Sequence, residues 1–281
     1  MVPGEGDGSE SRLSLHPDEV LRLIDKLCVC ATTLVFVFSI KEGEEVDSEA
    51  GRSAMFGLVR SAQHEYPNIR MLSYSVRIGP EHSDYGFLMD SLTREILCDR
   101  SRELEVFNDL CVRKVRRYVR IDPCKWVPRS EGLARMGAYV ITGGLGGLGL
   151  LTAKVLINLG AKRLVLLSRS GKVPYKGQGL EEQLRWVLEE SGADVRVMRG
   201  DVSDESSVAS MLESVRSMEG WEGGIEGIVH SAGVLRDAMI RGGGAASGAL
   251  EVWNAKAYSA YLLDKHTTGD NLRLFLCFFL R

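Results

Sequence analysis

The stretch YVITGGLGGLG, residues 139–149, carries the strongest signal in this sequence. Its last six residues, Gly144–Gly149, follow the pattern G-x-G-x-x-G. The apolar residues before the glycines predict a strand, and GLLTAKVLINLG after them predicts a helix. Glycines let a pyrophosphate approach the backbone, and a helix amino terminus offers N–H donors and a positive dipole. The stretch therefore predicts a dinucleotide-binding turn, with a tight turn that binds nothing as the alternative.

Strands and helices alternate on both sides of this turn. Residues 136–281 predict further strands at KRLVLLSRSG, DVRVMRGDVSD, GIEGIVHSAG and the closing NLRLFLCFFLR, with helices between them. Residues 31–135 predict β-α-β-α-β, ending in two strands or a hairpin around Asn108–Asp109. Residues 1–30 are expected to form a partly disordered lead-in. Because crossover helices join parallel strands, the fold class is α/β with a doubly wound parallel sheet.

Composition narrows the class of protein. The 281 residues are 44% hydrophobic and 26% charged with a formal net charge of −3, and no basic stripe suggests nucleic acid or anionic membrane as a partner. The six cysteines form no C-x-x-C pair, which favours reduced thiols over a disulfide framework or a metal site. The start of the chain has no signal-peptide pattern, and no apolar run reaches about 18 residues. We expect a cytoplasmic protein that binds neither membrane nor metal.

The end of the second strand after the turn indicates which dinucleotide is bound. NAD-binding units place Asp or Glu there to hold the ribose hydroxyls. This chain has Ser168 and Arg169 instead. Because a guanidinium pairs with a 2′-phosphate that a carboxylate would repel, these residues favour NADPH over NADH. The alternative is a solvated surface arginine.

Two further strand ends supply candidate contacts. Asp201 and Val202 follow the third strand, where they would meet the adenine, although Asp201, Ser203 or Asp204 would equally serve as a helix cap. VHSAGVLRDAM follows the fourth strand. Its His230 is interpreted not as a general base but as part of a segment of small residues that approaches the cofactor.

Several motifs in fixed order resemble one family. VITGGLGGLGLLTAKVL, LVLLSRSG, GDVSD, GIVHSAGVLRDAMI, WNAKAYSAYLL and LRLFLCF resemble the ketoreductase domain of modular polyketide synthases and animal-type fatty acid synthases, within the short-chain dehydrogenase/reductase superfamily. AMFGLVRSAQHEYPNIRMLSYSV is similar to the family's structural subdomain, a truncated Rossmann-like unit without cofactor. The resemblance spans residues 31–281. It implies a structural subdomain at 31–135 and an incomplete, Rossmann-like NADPH-binding subdomain at 136–281.

The resemblance assigns a role to each candidate residue. Lys256 takes the position of the catalytic lysine, flanked by Ala255 and Ala257 where the family usually has Pro and Val. An exposed helix lysine is the alternative. Asp237, in Leu235–Asp237, is retained from a Leu-Asp-Asp signature linked to one alcohol stereochemistry, and the glycine-rich RGGGAASG after it is read as a flexible loop at the substrate mouth. The residues implied in cofactor binding are Thr142, Gly143, Gly144, Leu145, Gly146, Gly147, Leu148, Gly149, Ser168, Arg169, Asp201, Val202, His230, Ser231, Ala232 and Gly233.

The implied reaction reduces a β-ketoacyl thioester to a β-hydroxyacyl thioester. The thioester would be bound to the phosphopantetheine of an acyl carrier protein, and other synthase domains would be neighbours. The family's serine donor and tyrosine acid come on and after the closing strand, where this sequence reaches Arg281. Tyr258 and Tyr261 stand two and five residues from Lys256, so neither shares its helix face. We expect an incomplete ketoreductase that is inactive alone; a catalytically dead nucleotide-binding or structural fold, and an extended-type dehydrogenase or epimerase, are the alternatives.

Overall fold

The computed structural model describes residues 17–29, 31–41, 46–78, 85–97, 103–109, 112–117, 119–120, 137–174, 177–221 and 223–278. Its contacts divide the chain into two compact units. The first unit comprises residues 1–126 and 237–247, and the second unit comprises residues 127–236 and 248–281. The expected lead-in up to residue 16 and the expected connection at 121–136 lie outside the described residues.

The first unit contains a four-stranded sheet in the order β1-β2-β3-β4. Strands β1 to β3 are parallel, and β4 is antiparallel to β3, so the hairpin alternative is confirmed, although Asn108 and Asp109 lie in β3 and not between the strands. Its core includes Leu72, Tyr74, Val76 and Val106, all buried. The elements are α1 Pro17–Leu27, β1 Thr33–Lys41, α2 Val46–Glu65, β2 Arg70–Ile78, α3 Tyr85–Leu97, β3 Glu105–Asp109 and β4 Val112–Val115.

The second unit contains five parallel strands in the order β7-β6-β5-β8-β9. The chain runs outward from β5 through β6 to β7 and then returns to the other side of β5 at β8. The strands are β5 Ala138–Thr142, β6 Arg163–Ser168, β7 Asp194–Arg199, β8 Ile225–His230 and β9 Leu274–Cys277. The helices are α4 Gly147–Asn158, α5 Leu180–Arg185, α6 Glu205–Arg216, α7 Ala246–Trp253 and α8 Ser259–Thr267.

Both faces of this second sheet are covered, as the doubly wound prediction requires. Along β5, Val140 packs on one face with α6 and α8, whereas Tyr139 and Ile141 pack on the other with α4 and α5. Successive strand residues point to opposite faces, so this alternation shows helices on both sides of the sheet. A strand buried on both faces explains why VIT, before the glycines, lacks the polar alternation of a half-exposed strand.

The closing strand follows the prediction only in part. Residues 274–277 pair in parallel with β8 and so form the predicted fifth strand. Phe275 and Leu276, however, are each 38% exposed. In the described part of the chain β9 is an edge strand, and the expected cover on both faces is not seen there. Residues 279–281, in which this strand was expected to end, lie outside the described residues.

The helix that carries Lys256 also departs from the prediction of one regular helix. A π-helical turn at Asn254–Tyr258 separates α7 from α8. The amide of Ser259 bonds to the carbonyl of Asn254, five residues back, rather than four. Such turns are rare and often occur at functional sites. No helix in the described ranges has the length and apolar character needed to span a bilayer.

Candidate functional site

The glycine turn fits tightly against its own backbone. Gly143 has a φ of +63°, a left-handed conformation that favours glycine. A Cβ on Gly144 would lie 2.8 Å from the Cα of Leu166, and a Cβ on Gly149 would lie 2.4 Å from the carbonyl oxygen of Gly143. These glycines are therefore needed for the close approach of β5, β6 and α4.

The amino end of α4 is open, in contrast. Gly146 is the N-cap residue, and its amide donates to the carbonyl of Gly143 over 2.9 Å. Gly147 is exposed, and a Cβ there would meet only the side chain of Leu180 at 3.9 Å. Among the described residues, the surroundings of Gly147 are open, so the amides and dipole of this first turn suit a phosphate. The turn also lies at the carboxyl end of β5, where the strand order reverses, the usual ligand position in such sheets.

Ser168 and Arg169 follow β6 at the same edge of the sheet. The Ser168 hydroxyl accepts from the amide of Gly171 over 3.3 Å and is half-buried. Arg169 is exposed and exerts a favourable charge effect on Asp201. The structure therefore brings Arg169 and Asp201 to one region at the carboxyl edge of the sheet.

The question of which aspartate caps α6 is settled by its hydrogen bonds. Asp204 is the N-cap, and its carboxylate accepts from the amide of Ser207 over 2.7 Å. The Asp201 carboxylate instead accepts from the amide and hydroxyl of Ser203 over 2.9 and 2.6 Å. The Ser203 hydroxyl, before its amide and Arg169, is the largest cause that lowers the pKa of Asp201. Asp201 is thus an exposed carboxylate that does not cap the helix.

Four of the expected cofactor residues have buried side chains. Thr142 is fully buried, Leu145 and His230 are each 1% exposed, and Val202 is 7% exposed and packs in the core with α6. If these residues contact a cofactor, they therefore do so through main-chain atoms. The sequence pattern locates the positions but does not distinguish side-chain from backbone contacts.

Lys256 lies in the π-helical turn beside the end of β8. A Cβ on Gly233 would lie 3.0 Å from the Cε of Lys256, so the lysine stem passes directly over that glycine. The side chain is neither fully buried nor fully exposed. This arrangement unites two predicted site residues that are 23 positions apart in the sequence.

The segment expected to form a flexible loop is bonded to the first unit. The Asp25 carboxylate accepts from the Tyr66 hydroxyl over 2.6 Å and from the Gly242 amide over 3.0 Å. Glu65 accepts from the Arg241 amide over 3.0 Å, and the Arg241 guanidinium lies 6.0 Å from the Tyr66 ring centre. We call these five residues the latch. Burial, and then the bond to Asp25, raises the pKa of Tyr66 well above its ordinary range.

Removing the tyrosine hydroxyl should loosen this latch. In Tyr66→Phe the Asp25 carboxylate loses one of its two donors, so we expect trypsin to cleave after Arg241 several-fold faster, because proteolysis follows local opening. Limited proteolysis read by mass spectrometry gives the rate. Tyr261→Phe, at an exposed tyrosine of α8, is the matched control. Equal rates in wild type, Tyr66→Phe and the control would contradict the latch.

The other end of this segment differs from the family signature in a specific way. Arg236, which replaces the first aspartate of Leu-Asp-Asp, forms two hydrogen bonds with Glu251 of α7 at 2.7 and 2.9 Å. Asp237 is exposed and belongs to the first unit. The arginine is thus explained by an exposed ion pair, and the stereochemical role of Asp237 stays a prediction.

Helix α8 carries a Tyr-x-x-x-Lys spacing, from Tyr261 to Lys265, that the sequence reasoning missed. Tyr261 is 43% exposed and stacks on Tyr258. The Lys265 ammonium bonds to Glu205 over 2.8 Å, and this bond is the largest cause that raises the pKa of the lysine. Because a carboxylate compensates the cation, this pair does not form the charged environment that a tyrosine acid requires.

A parallel sheet in this order, with helices on both faces and a glycine turn after its first strand, is a Rossmann-like fold of the short-chain dehydrogenase/reductase type. A sequence model of the KR domain, the ketoreductase domain, matches residues 137–279. The chain belongs to the KR domain family.

Comparison with individual proteins agrees with this family. A component of the phenolphthiocerol/phthiocerol polyketide synthase of Mycobacterium tuberculosis is 31% identical over 242 residues, which cover 83% of this chain and 12% of that protein. 6-Methylsalicylic acid synthase of Penicillium patulum is 27% identical over 222 residues, covering 73% of this chain and 12% of that protein. The solved structure of an A1-type ketoreductase has a TM-score of 0.72 and 25% identity, covering 92% of this chain and 52% of that one. The chain thus spans about an eighth of the length of these synthases.

Proposed function

We propose that this chain is the cofactor-binding part of a ketoreductase that reduces a β-ketoacyl thioester to a β-hydroxyacyl thioester with NADPH. The observation that supports it most is the open amino end of α4 at the strand-order reversal, with Lys256 beside the end of β8. The synthases among its relatives support a role beside other synthase domains. We further propose that the substrate is carried on the phosphopantetheine of an acyl carrier protein and that the reaction takes place in the cytoplasm.

The residues present fit a dinucleotide phosphate. Backbone amides of residues 143–149 would hold the pyrophosphate, Ser168 and Arg169 the 2′-phosphate, and Asp201 with the Val202 backbone the adenine. The backbone of residues 230–233 would lie near the nicotinamide ribose. NADPH, when bound, supplies the hydride that reduces the carbonyl carbon. Lys256 would contribute positive charge beside the nicotinamide, and Asp237 would influence the side from which the ketone is approached.

Cofactor choice should depend on Arg169. We expect NADPH to bind more tightly than NADH. Arg169→Ala should lower the affinity for NADPH by about tenfold and leave the affinity for NADH unchanged, since only NADPH carries the 2′-phosphate. Fluorescence titration of both cofactors measures this. Arg185→Ala, which removes another exposed arginine, is the control. Equal affinities for the two cofactors, unchanged in Arg169→Ala, would refute the NADPH preference.

The 281-residue polypeptide, assayed by itself, should not turn over. The transition state needs a proton and hydrogen-bond donors for the developing oxyanion, and the serine and tyrosine that the family supplies are not among these residues. We expect no NADPH oxidation above background with a diffusible β-ketothioester. Turnover that Lys256→Ala abolishes would show this expectation to be wrong. Binding of neither NADPH nor NADH would favour the catalytically dead fold instead.

A further inference from the structure

His230 is a buried histidine that the proposed reaction does not use. Its ring, at the end of β8, is bonded through both nitrogens. Nδ1 lies 2.7 Å from the Thr142 hydroxyl, and Nε2 lies 2.9 Å from the Ser259 hydroxyl and 3.2 Å from the Lys256 carbonyl. The imidazole therefore joins the residue before the glycine turn to the main chain of the predicted catalytic lysine.

The neighbouring hydrogen bonds determine which nitrogen carries the proton. A carbonyl only accepts, so Nε2 must donate to Lys256. The Ser259 hydroxyl donates to the Ala255 carbonyl over 2.8 Å and is therefore free to accept from Nε2. Nδ1 is then the acceptor of the Thr142 hydroxyl, which itself accepts from the Ala232 amide over 3.2 Å. A neutral ring protonated at Nε2 fits these contacts, with its single proton shared between the Ser259 hydroxyl and the Lys256 carbonyl.

This arrangement compensates for the irregular helix at Lys256. In the π-helical turn the amide of Ser259 bonds to Asn254, so it does not reach the Ala255 carbonyl as it would in an α-helix. Instead, the Ser259 hydroxyl donates a hydrogen bond to the Ala255 carbonyl, and His230 Nε2 donates to the Lys256 carbonyl. Each hydrogen bond adds a fixed point between the turn and its surroundings, so these two side chains stabilise the turn where it occurs.

We propose that His230 is a positioning residue that, as a neutral imidazole, holds the π-helical turn and so fixes Lys256 over Gly233. Through Thr142 it links that position to the glycine turn. The role of Lys256 rests on the function proposed above, whereas the link from His230 to the turn does not. Lys256 remains the catalytic residue; His230 acts through it.

Amide hydrogen exchange tests the link without any cofactor. Asparagine at position 230 keeps an acceptor where Nδ1 lies and has no group where Nε2 lies. In His230→Asn, and in Ser259→Ala, we expect exchange about tenfold faster at residues 254–260 and unchanged at residues 143–149. Ser214→Ala is the matched control, because the Ser214 hydroxyl makes the same bond to a carbonyl four residues back, on the exposed face of α6. Unchanged exchange at 254–260 in both variants would overturn the proposal.

A double-mutant cycle separates positioning from general stability. If His230 places Lys256, the loss of NADPH affinity caused by Lys256→Ala should be several-fold smaller in the His230→Asn background than in wild type. The glutamine amide in His230→Gln can reach the Nε2 position. In that background Lys256→Ala should therefore reduce NADPH affinity almost as much as it does in wild type. If Lys256→Ala reduces NADPH affinity by the same factor in both backgrounds, the positioning role is wrong, although the protein still binds the cofactor. No NADPH binding by wild type would instead refute the proposed function, and the exchange result would still decide whether His230 holds the turn.

Discussion

Replacing Gly149 by alanine is expected to destabilise the second unit by about 2–3 kcal/mol, within the range for overpacking a close-packed site. Glycine-to-alanine changes inside helices usually have the opposite sign, a gain of up to about 1 kcal/mol. Here the added Cβ would lie 2.4 Å from the Gly143 oxygen and 2.6 Å from the Gly144 Cα. Because both are main-chain atoms, no side-chain rotation relieves the contact, and the turn itself must move.

Gly147→Ala, two residues earlier in the same helix, is the matched control. Its Cβ would meet only a leucine methyl at 3.9 Å, so we expect a stability equal to or slightly above that of wild type. Thermal unfolding should show a fall of about 4–10 °C for Gly149→Ala and none for Gly147→Ala. Equal melting temperatures for the two variants would contradict the close packing of the turn.

Much of the second unit was predictable because its signals are local. The glycines of residues 144–149 stand between an apolar strand and a helix, and each later strand is an apolar run that ends in polar or glycine residues. Parallel strands with crossover helices admit few topologies, so the order of elements already implied the sheet. The location of Arg169 and Asp201 at strand ends followed from the same reasoning.

The remainder depended on contacts between distant parts of the chain. The sequence does not reveal that Thr142 and His230 are buried and hydrogen-bonded to each other, because the two residues are 88 positions apart. Nor does RGGGAASG reveal its bonds to Asp25 and Glu65, since glycine-rich composition is equally typical of a flexible loop. The carbonyl of Lys256, in the π-helical turn, likewise contacts a histidine 26 positions earlier.

These missed contacts share one feature with functional meaning. In each, a side chain bonds to main-chain groups far away in the sequence: Asp25 and Glu65 to residues 241 and 242 in the first unit, and His230 to Lys256 in the second. Motifs mark where a ligand is approached, whereas supporting hydrogen bonds determine how precisely the approaching groups are held.

Acidification should destabilise the second unit through His230. Burial is the main cause that lowers the pKa of this imidazole below its ordinary value of about 6.5. In the unfolded chain the same ring takes up a proton as the pH falls through about 6.5, while the folded protein still excludes it. The unfolded state then binds more protons, so stability is full above about pH 6.5 and falls as the pH is lowered toward the folded-state pKa.

One proton sets the upper limit of the slope at about 1.4 kcal/mol per pH unit, and the slope is steepest between the unfolded-state pKa and the lower folded-state pKa. Urea unfolding between pH 7.5 and 5.0, a window above the ordinary carboxylate range, measures it. His230→Asn is less stable at neutral pH, but its stability should vary less with pH, because the buried titrating group is gone. A wild-type profile as flat as that of His230→Asn would mean that the ring accepts a proton in the folded protein, and the single neutral tautomer would then be wrong.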